Sequence, residues 1–444
     1  MKVFEYRMYG TDEQFASVDE AIRTVQFIRN SVIARWVLEG SKPKEQRKYG
    51  KYDMNRDCAV LSKTYEFCGR LNSQARQASA ERGWSSVKRY YENCKNLAIK
   101  NKGYPKFKKD VRSVEYKVTG WKFCAGTKQI RFTDKTEMGV FTLRGGRYLS
   151  KSMLEKIQRV RIVRKADKYY LQVCVDIENK REQVAPNGKA ISLDLGLKEF
   201  YVDSTGFSKE NPRFLRKGEK KLKKLQRQVS RCKKGSKNRT KRKYKLAKLH
   251  CRVANQRKDF CGKAAKDVVM SNDVVVLEKL NIRKMVKSRL AKSISDASWG
   301  AFCNQLERYS ELYHRTILYV NPAHTTQACN ACGCLPTKKI TLNVRTYKCE
   351  HCGLVLDRDL NAAINILQFA NSELATAGHA ESGFIHQCIK DALDESKKLN
   401  VFGDQTSIVG TQVLATSQID EKETIIQTTK KNLETKLKSL DSVD

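Results

Sequence analysis

Apolar residues recur along this chain with two different periods, and the switches between them divide it. Alternation at every second position marks residues 2 to 9, 113 to 119, 129 to 133 and 139 to 143 as strands. A hairpin spans Val160-Ile162 and Tyr169-Ile177, turned at Lys165-Ala166-Asp167-Lys168. On its second strand Leu171, Val173, Val175 and Ile177 face one way, and Gln172, Cys174 and Asp176 the other. Between the first strand and this group the period lengthens to that of a helix. Ser17-Val18-Asp19-Glu20 reads as a capping box opening a helix with Val18, Ile22, Val25, Ile28 and Val32 on one side. Helical spacing then continues to about residue 100, with Lys and Arg interleaved among Trp36, Tyr52, Trp84, Tyr90 and Tyr91. Aromatics in such a region can stack on bases, but most are expected in the core. Gly103-Tyr104-Pro105-Lys106-Phe107 breaks the helices. These segments suggest a small β-barrel from residues 1–12 and 110–184, interrupted by a helical insertion at 13–109.

Past the linker Ala185-Pro186-Asn187-Gly188 the pattern changes to short, wholly apolar runs that end on acids. One runs to Asp194 and is followed by Phe200-Tyr201-Val202 and the turn Asp203-Ser204-Thr205-Gly206; another, Val274 to Leu277, ends on Glu278. A helix bearing Trp299, Phe302, Leu306 and Tyr309 and a strand at 316 to 320 follow. Asp359 opens a further helical stretch with Ala362, Ala363, Ile366 and Leu367. An aspartate there is usually a cap. With two other acids at strand ends, the three together could instead hold divalent metal.

Between the first two acids lies a basic helical hairpin, residues 208–270. From Arg216 to Lys258 its only acidic residue is Glu219, and each half has one narrow apolar stripe: Leu222, Leu225 and Val229, then Leu246, Leu249 and Val253. A solvated helix pair could look like this, but the near-absence of acid favours phosphate contact, with Lys241, Arg242 and Lys243 as candidates. Residues 371–444 hold no arginine and are rich in Ser, Thr and Gln. They read as disordered, with one weak helix near 424 to 440.

Cys329-x-x-Cys332 and Cys349-x-x-Cys352, sixteen residues apart, have the spacing of a closed tetrahedral zinc site, and Gly333 and Gly353 stand where the knuckle turns need them. The other eleven of fifteen cysteines show no framework spacing, which predicts reduced thiols, Cys334 among them. The formal net charge of +39, from 87 basic and 48 acidic residues, makes a polyanion the expected partner. No run has membrane-spanning length, and Met1 to Arg7 lack the apolar core of a signal peptide, so a cytoplasmic location and no membrane partner are expected.

Three segments taken in order carry a family resemblance: Asp194-Leu195-Gly196, Leu277-Glu278-Lys279-Leu280, and Asp357-Arg358-Asp359-Leu360-Asn361-Ala362-Ala363-Ile364-Asn365-Ile366, with a four-cysteine ribbon between the last two. The chain resembles the TnpB proteins of bacterial insertion sequences, OrfB-type transposases related to type V CRISPR effectors. The likeness covers about residues 1 to 370, including Ser298-Trp299-Gly300 and Thr325-Thr326-Gln327 before the ribbon. It implies a multidomain α/β protein: an RNase H-like (RuvC) nuclease domain at 185–320 and 357–370, an inserted zinc ribbon at 321–356 with one structural zinc, and an N-terminal wedge-like barrel whose insertion serves recognition. Asp194, Glu278 and Asp359 would be catalytic and hold two magnesium ions. Hard cations prefer carboxylate oxygens, and two of them can drive phosphodiester hydrolysis without a histidine base. The implied partners are a guide RNA from the transposon end and double-stranded target DNA cut beside a short flanking motif, handled by a monomer. A compact CRISPR effector, or a transposon DNA-binding protein without catalysis, are the alternatives.

Overall fold

The computed structural model describes residues 2–46, 48–124, 128–136, 138–145, 149–166, 168–177, 184–341, 344–377 and 382–402. The chain divides into two compact units: Met1–Asn179 with Lys224–Cys251, and Lys180–Lys223 with Arg252–Asp444.

The first unit begins with β1 (Lys2–Tyr9) and the helices α1 (Asp12–Gly40), α2 (Lys51–Thr64), α3 (Glu66–Arg70) and α4 (Ser73–Lys95). Strands β2 (Ser113–Tyr116), β3 (Trp121–Cys124), β4 (Gln129–Phe132) and β5 (Val140–Arg144) follow, then α5 (Lys151–Glu155) and the hairpin β6 (Ile157–Lys165) and β7 (Lys168–Val175). The seven strands make one antiparallel sheet in the order β2-β6-β7-β1-β5-β4-β3. Strand β1 sits in its middle because its two edges pair with β7 and β5, both distant in sequence. Among the described residues no ladder joins β2 to β3, the two edges that closure into the expected barrel would bring together. Side chains instead link β2 to β4 and the residues after it: the rings of Tyr116 and Phe132 lie 4.9 Å apart, and Tyr116 donates to Asp134 at 2.7 Å.

Helix α1 starts earlier than its sequence suggests. Thr11 accepts from the backbone of Gln14 at 3.3 Å and Gln14 accepts from the backbone of Thr11 at 2.9 Å, so the capping box lies six residues before Ser17. The apolar face is as expected, with Val18, Ile22, Val25, Ile28 and Val32 all buried; each such side chain contributes about 1.5 to 3 kcal/mol on burial. The α1 and α4 backbones come close at Gly83, where a Cβ would meet Val32 at 2.9 Å. Trp36 is buried, whereas Tyr52 is 81% exposed and Tyr91 47%, so these two are not core residues.

The second unit opens with β8 (Ala190–Asp194), β9 (Glu199–Asp203) and β10 (Ser208–Glu210). The basic hairpin is α6 (Phe214–Arg231) and α7 (Lys237–Ser271), and its tip is grouped with the first unit, not kept whole with the segment that surrounds it in sequence. At 35 residues α7 runs about 50 Å, longer than a small domain is wide. Its root is fixed by Asp296, which accepts from the Leu215 and Arg216 amides at 2.8 and 3.0 Å and pairs with Arg257 at 2.7 Å. Next come β11 (Val274–Glu278), α8 (Ile282–Met285), α9 (Ala291–Ala297), α10 (Trp299–Tyr313), β12 (Thr316–Val320), β13 (Thr346–Lys348), β14 (Val355–Asp357), α11 (Arg358–Ala377) and α12 (Ser382–Phe402).

The sheet order is β10-β9-β8-β11-β12, with β8, β11 and β12 parallel. Both faces are covered, as parallel sheets require. Ile191, Leu193, Val275 and Leu277 pack on α7 and α10, while Ala190, Val274, Val276 and Val320 pack on α11 and α12. This corrects the reading of disorder for the described part of 371–444, residues 371–377 and 382–402. Helix α12 is ordered because Ile385, Cys388, Ile389, Ala392 and Leu393 recur at helical spacing and bury against that second face. The helix expected near 424 to 440 lies outside the described residues.

Candidate active site and metal centre

The parallel register pairs Leu277 with Leu193, so the residues that follow, Glu278 and Asp194, stand side by side where their strands end. Both are half-buried. Burial raises the Asp194 carboxyl well above its usual range, and the charges of Glu278, Asp359 and Asp357 push the same way against Arg358. Burial raises Glu278 as well, opposed by a hydrogen bond from the Thr325 hydroxyl. Neither acid is held in an ion pair among the described residues.

Asp359 reaches this edge from the first turn of α11. The cap of that helix is Asp357, which accepts from the Asp359 and Leu360 amides at 2.8 and 3.2 Å. The Asp359 side chain is thereby released from capping. It pairs with Arg345 at 3.1 Å and Arg358 at 3.3 Å. Helix α11 is pinned to the sheet where Ser192, two residues before Asp194, donates to the Ala363 carbonyl at 2.5 Å.

The oxygens of the three acids are not gathered within 4.8 Å of one another, as the cysteine sulfurs are. A pair of ions about 3.5 to 4 Å apart does not need one tight cage. Asp194 and Glu278, half-buried, raised in proton affinity and outside any ion pair among the described residues, have the chemistry to hold a divalent metal, with Asp359 as a third carboxylate at the same edge.

The ribbon is built by two knuckles. Gly333 donates to the Cys329 carbonyl at 2.9 Å and Gly353 to that of Cys349 at 3.2 Å, both glycines with positive φ. Cys329 and Cys352 bring their sulfurs to 3.6 Å, as do Cys332 and Cys349. A tetrahedron with metal–sulfur bonds of about 2.3 Å has edges of about 3.8 Å, so the four thiols could hold a metal ion such as zinc. Cys332 also groups with Cys334 and His351, so Cys334 is not an isolated thiol.

A polar stripe that the sequence reading passed over fastens ribbon to helix. Asn361 donates to the Ala328 carbonyl at 2.8 Å and accepts from the Asn330 amide at 3.0 Å; Asn365 donates to the carbonyls of Thr325 and Ala328 at 2.8 and 2.7 Å. Both are buried, four residues apart on one face of α11. Their signal was visible as two asparagines inside an otherwise apolar helix. Arg345 left no such signal, since fourteen residues separate it from Asp359. Of the candidate phosphate contacts on α7, Lys241 and Lys243 are exposed and Arg242 is half-buried, all in the segment grouped with the other unit.

Comparison with known proteins places matches over the same segments. The OrfB_IS605 family, described as "Probable transposase", matches residues 172–289, which include Asp194 and Glu278. The Cas12f1-like TNB domain matches residues 299–366, which include the ribbon and Asp359. A protein of Streptomyces pristinaespiralis named for RNA-guided DNA endonuclease activity is 30% identical over 376 residues, spanning 82% of this chain and 88% of its own. InsQ of Escherichia coli K12, named for the same activity, is 26% identical over 404 residues, 86% of this chain and 96% of its own. The TnpB-like protein L79 of Acanthamoeba polyphaga mimivirus is 32% identical over 130 residues, 28% of this chain and 24% of its own. In fold, the chain resembles the effector solved in a Cas12f1-sgRNA-target DNA complex, with a TM-score of 0.51 at 14% identity over 80% of this chain and 82% of that one.

Proposed function

Because the chain belongs to the TnpB family, we propose that it is an RNA-guided DNA endonuclease encoded by an insertion sequence, cutting target DNA beside a short flanking motif. The observation that carries this reading is the pair of unneutralised acids, Asp194 and Glu278, on adjoining strand ends, with Asp359 brought to them by α11. We read the second unit's sheet as RNase H-like (RuvC) and the first unit's sheet, with its helices, as the wedge-like and recognition parts. The protein is taken to act as a monomer.

Asp194, Glu278 and Asp359 would hold two divalent ions, and their hard oxygens favour magnesium. When bound, such ions lower the pKa of water and stabilise the leaving 3′-oxygen of an in-line phosphodiester displacement. The chain's own part is positional. Thr325 orients the Glu278 carboxyl, Asp357 takes the capping role, and Arg358 and Arg345 offset the charge of Asp359. Cys329, Cys332, Cys349 and Cys352 would hold one zinc with no open position, a structural site whose fold, through Asn361 and Asn365, sets the start of α11. Lys241, Arg242 and Lys243 would contact phosphates.

The test is to purify the chain from cells carrying its locus, sequence the RNA bound to it, and challenge the complex with a randomised DNA library and Mg2+. Cleavage directed by that RNA is expected. A preparation free of RNA that cuts no DNA complementary to the transposon end would end the reading.

A further inference from the structure

Two side chains beside the four ribbon cysteines have no part in that set. Cys334 follows the first knuckle and is half-buried; His351 lies inside the second, between Cys349 and Cys352, and is exposed. Packing explains neither. What the fold takes from position 334 is its carbonyl, which accepts from the Cys329 amide at 3.0 Å, and any residue supplies one. Position 351 falls on the knuckle turn, where the closing bond is made by Gly353 to the Cys349 carbonyl at 3.2 Å. Among the described residues neither side chain is engaged in a hydrogen bond or an ion pair.

Yet the ligand atoms of Cys332, Cys334 and His351 all lie within 4.8 Å of one another. The backbone holds them there. Glu350, next to His351, accepts from the amide and hydroxyl of Thr337 at 3.2 and 2.7 Å, which ties the stretch after Cys334 to the second knuckle. Gln327 exchanges hydrogen bonds with the backbone of Ile340 at 2.9 and 3.2 Å and fastens the same stretch to the entry of the ribbon. Thiolate and imidazole are ligands that zinc favours, at about 2.3 and 2.0 to 2.1 Å from the ion. Around a tetrahedral ion such atoms stand about 3.5 to 3.8 Å apart, so the three need to close by roughly 1 Å. His351, at the surface, can supply that by turning about its side-chain bonds. Cys332 belongs to both groups of ligands. A thiolate sulfur keeps lone pairs after binding one ion and can bridge to a second. Four thiolates around one divalent ion also leave two negative charges uncompensated, which a cation on the shared sulfur offsets.

We propose that Cys332, Cys334 and His351 form a second metal site, for a thiophilic divalent ion of the zinc class, joined to the first ion through the Cys332 sulfur. Three protein ligands leave its fourth position to solvent. Bound there, the ion clamps the 334–341 stretch to the second knuckle. The proposal rests on the preceding section for the ion held by the four cysteines, and for nothing else.

In the experiment the full chain, kept reduced, is exchanged against Cd2+ over a range of free concentrations with excess Mg2+ present. Bound cadmium is read by thiolate-to-cadmium absorption, to which carboxylate sites are silent, and by cadmium NMR. Two equivalents are expected, with two resonances that show scalar coupling to each other through the Cys332 sulfur. Cys334→Ser and His351→Gln should each keep the first resonance and lower affinity for the second ion by at least about 10-fold, the low end of what losing even an outer support costs a metal site. Neither residue is one of the four cysteines, so the surviving first resonance also shows that these variants fold. A single equivalent in the wild type overturns the proposal. So do two resonances without mutual coupling, or a second ion that Cys334→Ser leaves unchanged. Cys349→Ser, run in parallel, should lose the first resonance. One that survives Cys349→Ser refutes the four-cysteine reading and this proposal with it, whereas a first resonance without a second refutes the shared site alone.

Discussion

Strand β11 has an acid at each end, and the fold treats the two in opposite ways. Asp273, just before the strand, is buried in an ion pair with the equally buried Arg315 and accepts from the Asn187 and Gly188 amides at 2.7 and 2.6 Å. Glu278, at the other end, has a threonine hydroxyl and a neighbouring aspartate, and among the described residues no ion-pair partner. An acid that serves the fold is neutralised inside it. One left without a counter-charge, on the same strand, is what the proposed metal site would use.

The largest effect should come from removing the acids of that site. Asp194→Ala, Glu278→Ala and Asp359→Ala should each lower Mg2+-dependent DNA cleavage by about a thousandfold or more, the scale of losing a metal-borne several kcal/mol. Nucleic-acid affinity should hold. Full cleavage by any one of them removes that residue from the site. At the other end the loss should be of stability instead: Arg315→Gln leaves Asp273 buried without its cation and should cost about 3 to 5 kcal/mol in urea denaturation. An unchanged midpoint would show that the two ends do not differ as argued.

Cys349→Ser tests whether the ribbon supports the acid end. Elemental analysis should find the metal lost, and cleavage should fall about 10- to 100-fold, the usual range for a support once removed from the reacting groups. Wild-type protein that carries no zinc yet cleaves normally would rule out the zinc assignment. A smaller effect has the reverse sign. With metal chelated, Asp194→Asn should melt above wild type, because a carboxyl whose folded pKa is raised is a burden at neutral pH. For the same reason metal-free wild type should gain stability as pH falls through that raised pKa, the folded state taking up its proton before the unfolded one does. Equal melting of the two at every pH would mean that Asp194 is not strained. Smallest is Asp357→Ala, expected to cost about 1 kcal/mol through the lost cap and to leave most cleavage intact.

Much of the acid end was legible because its residues terminate apolar runs, and a strand that ends on Asp194 or Glu278 says so in two letters. The cysteine knuckles were legible because spacing alone defines them. The start of α1 was not, since Thr11 and Ser17 both begin plausible capping boxes. The choice is tertiary: Gln14, closing the earlier box, also donates to the carbonyls of Met138 and Val140 at 2.8 and 3.1 Å. Helix α12 was hidden by a composition rich in polar residues, which masked one apolar stripe too short to stand out from its surroundings. That no ladder joins β2 to β3 among the described residues was invisible for a different reason, because strand period reports pairing faces and says nothing about whether the last edge meets the first.

Helix α12 also limits how far this protein can be shortened. Anyone trimming the chain toward a minimal cutting tool would find the acids, the ribbon and α11 complete by Ala377 and be drawn to stop there. A protein ending at that point would keep the cover α11 gives this face but would open the part around β8 and the start of β11, near Ala190 and Val274, that Cys388 and Ile389 help to bury. Its failure would be precipitation, with all three acids and the four ribbon cysteines still encoded.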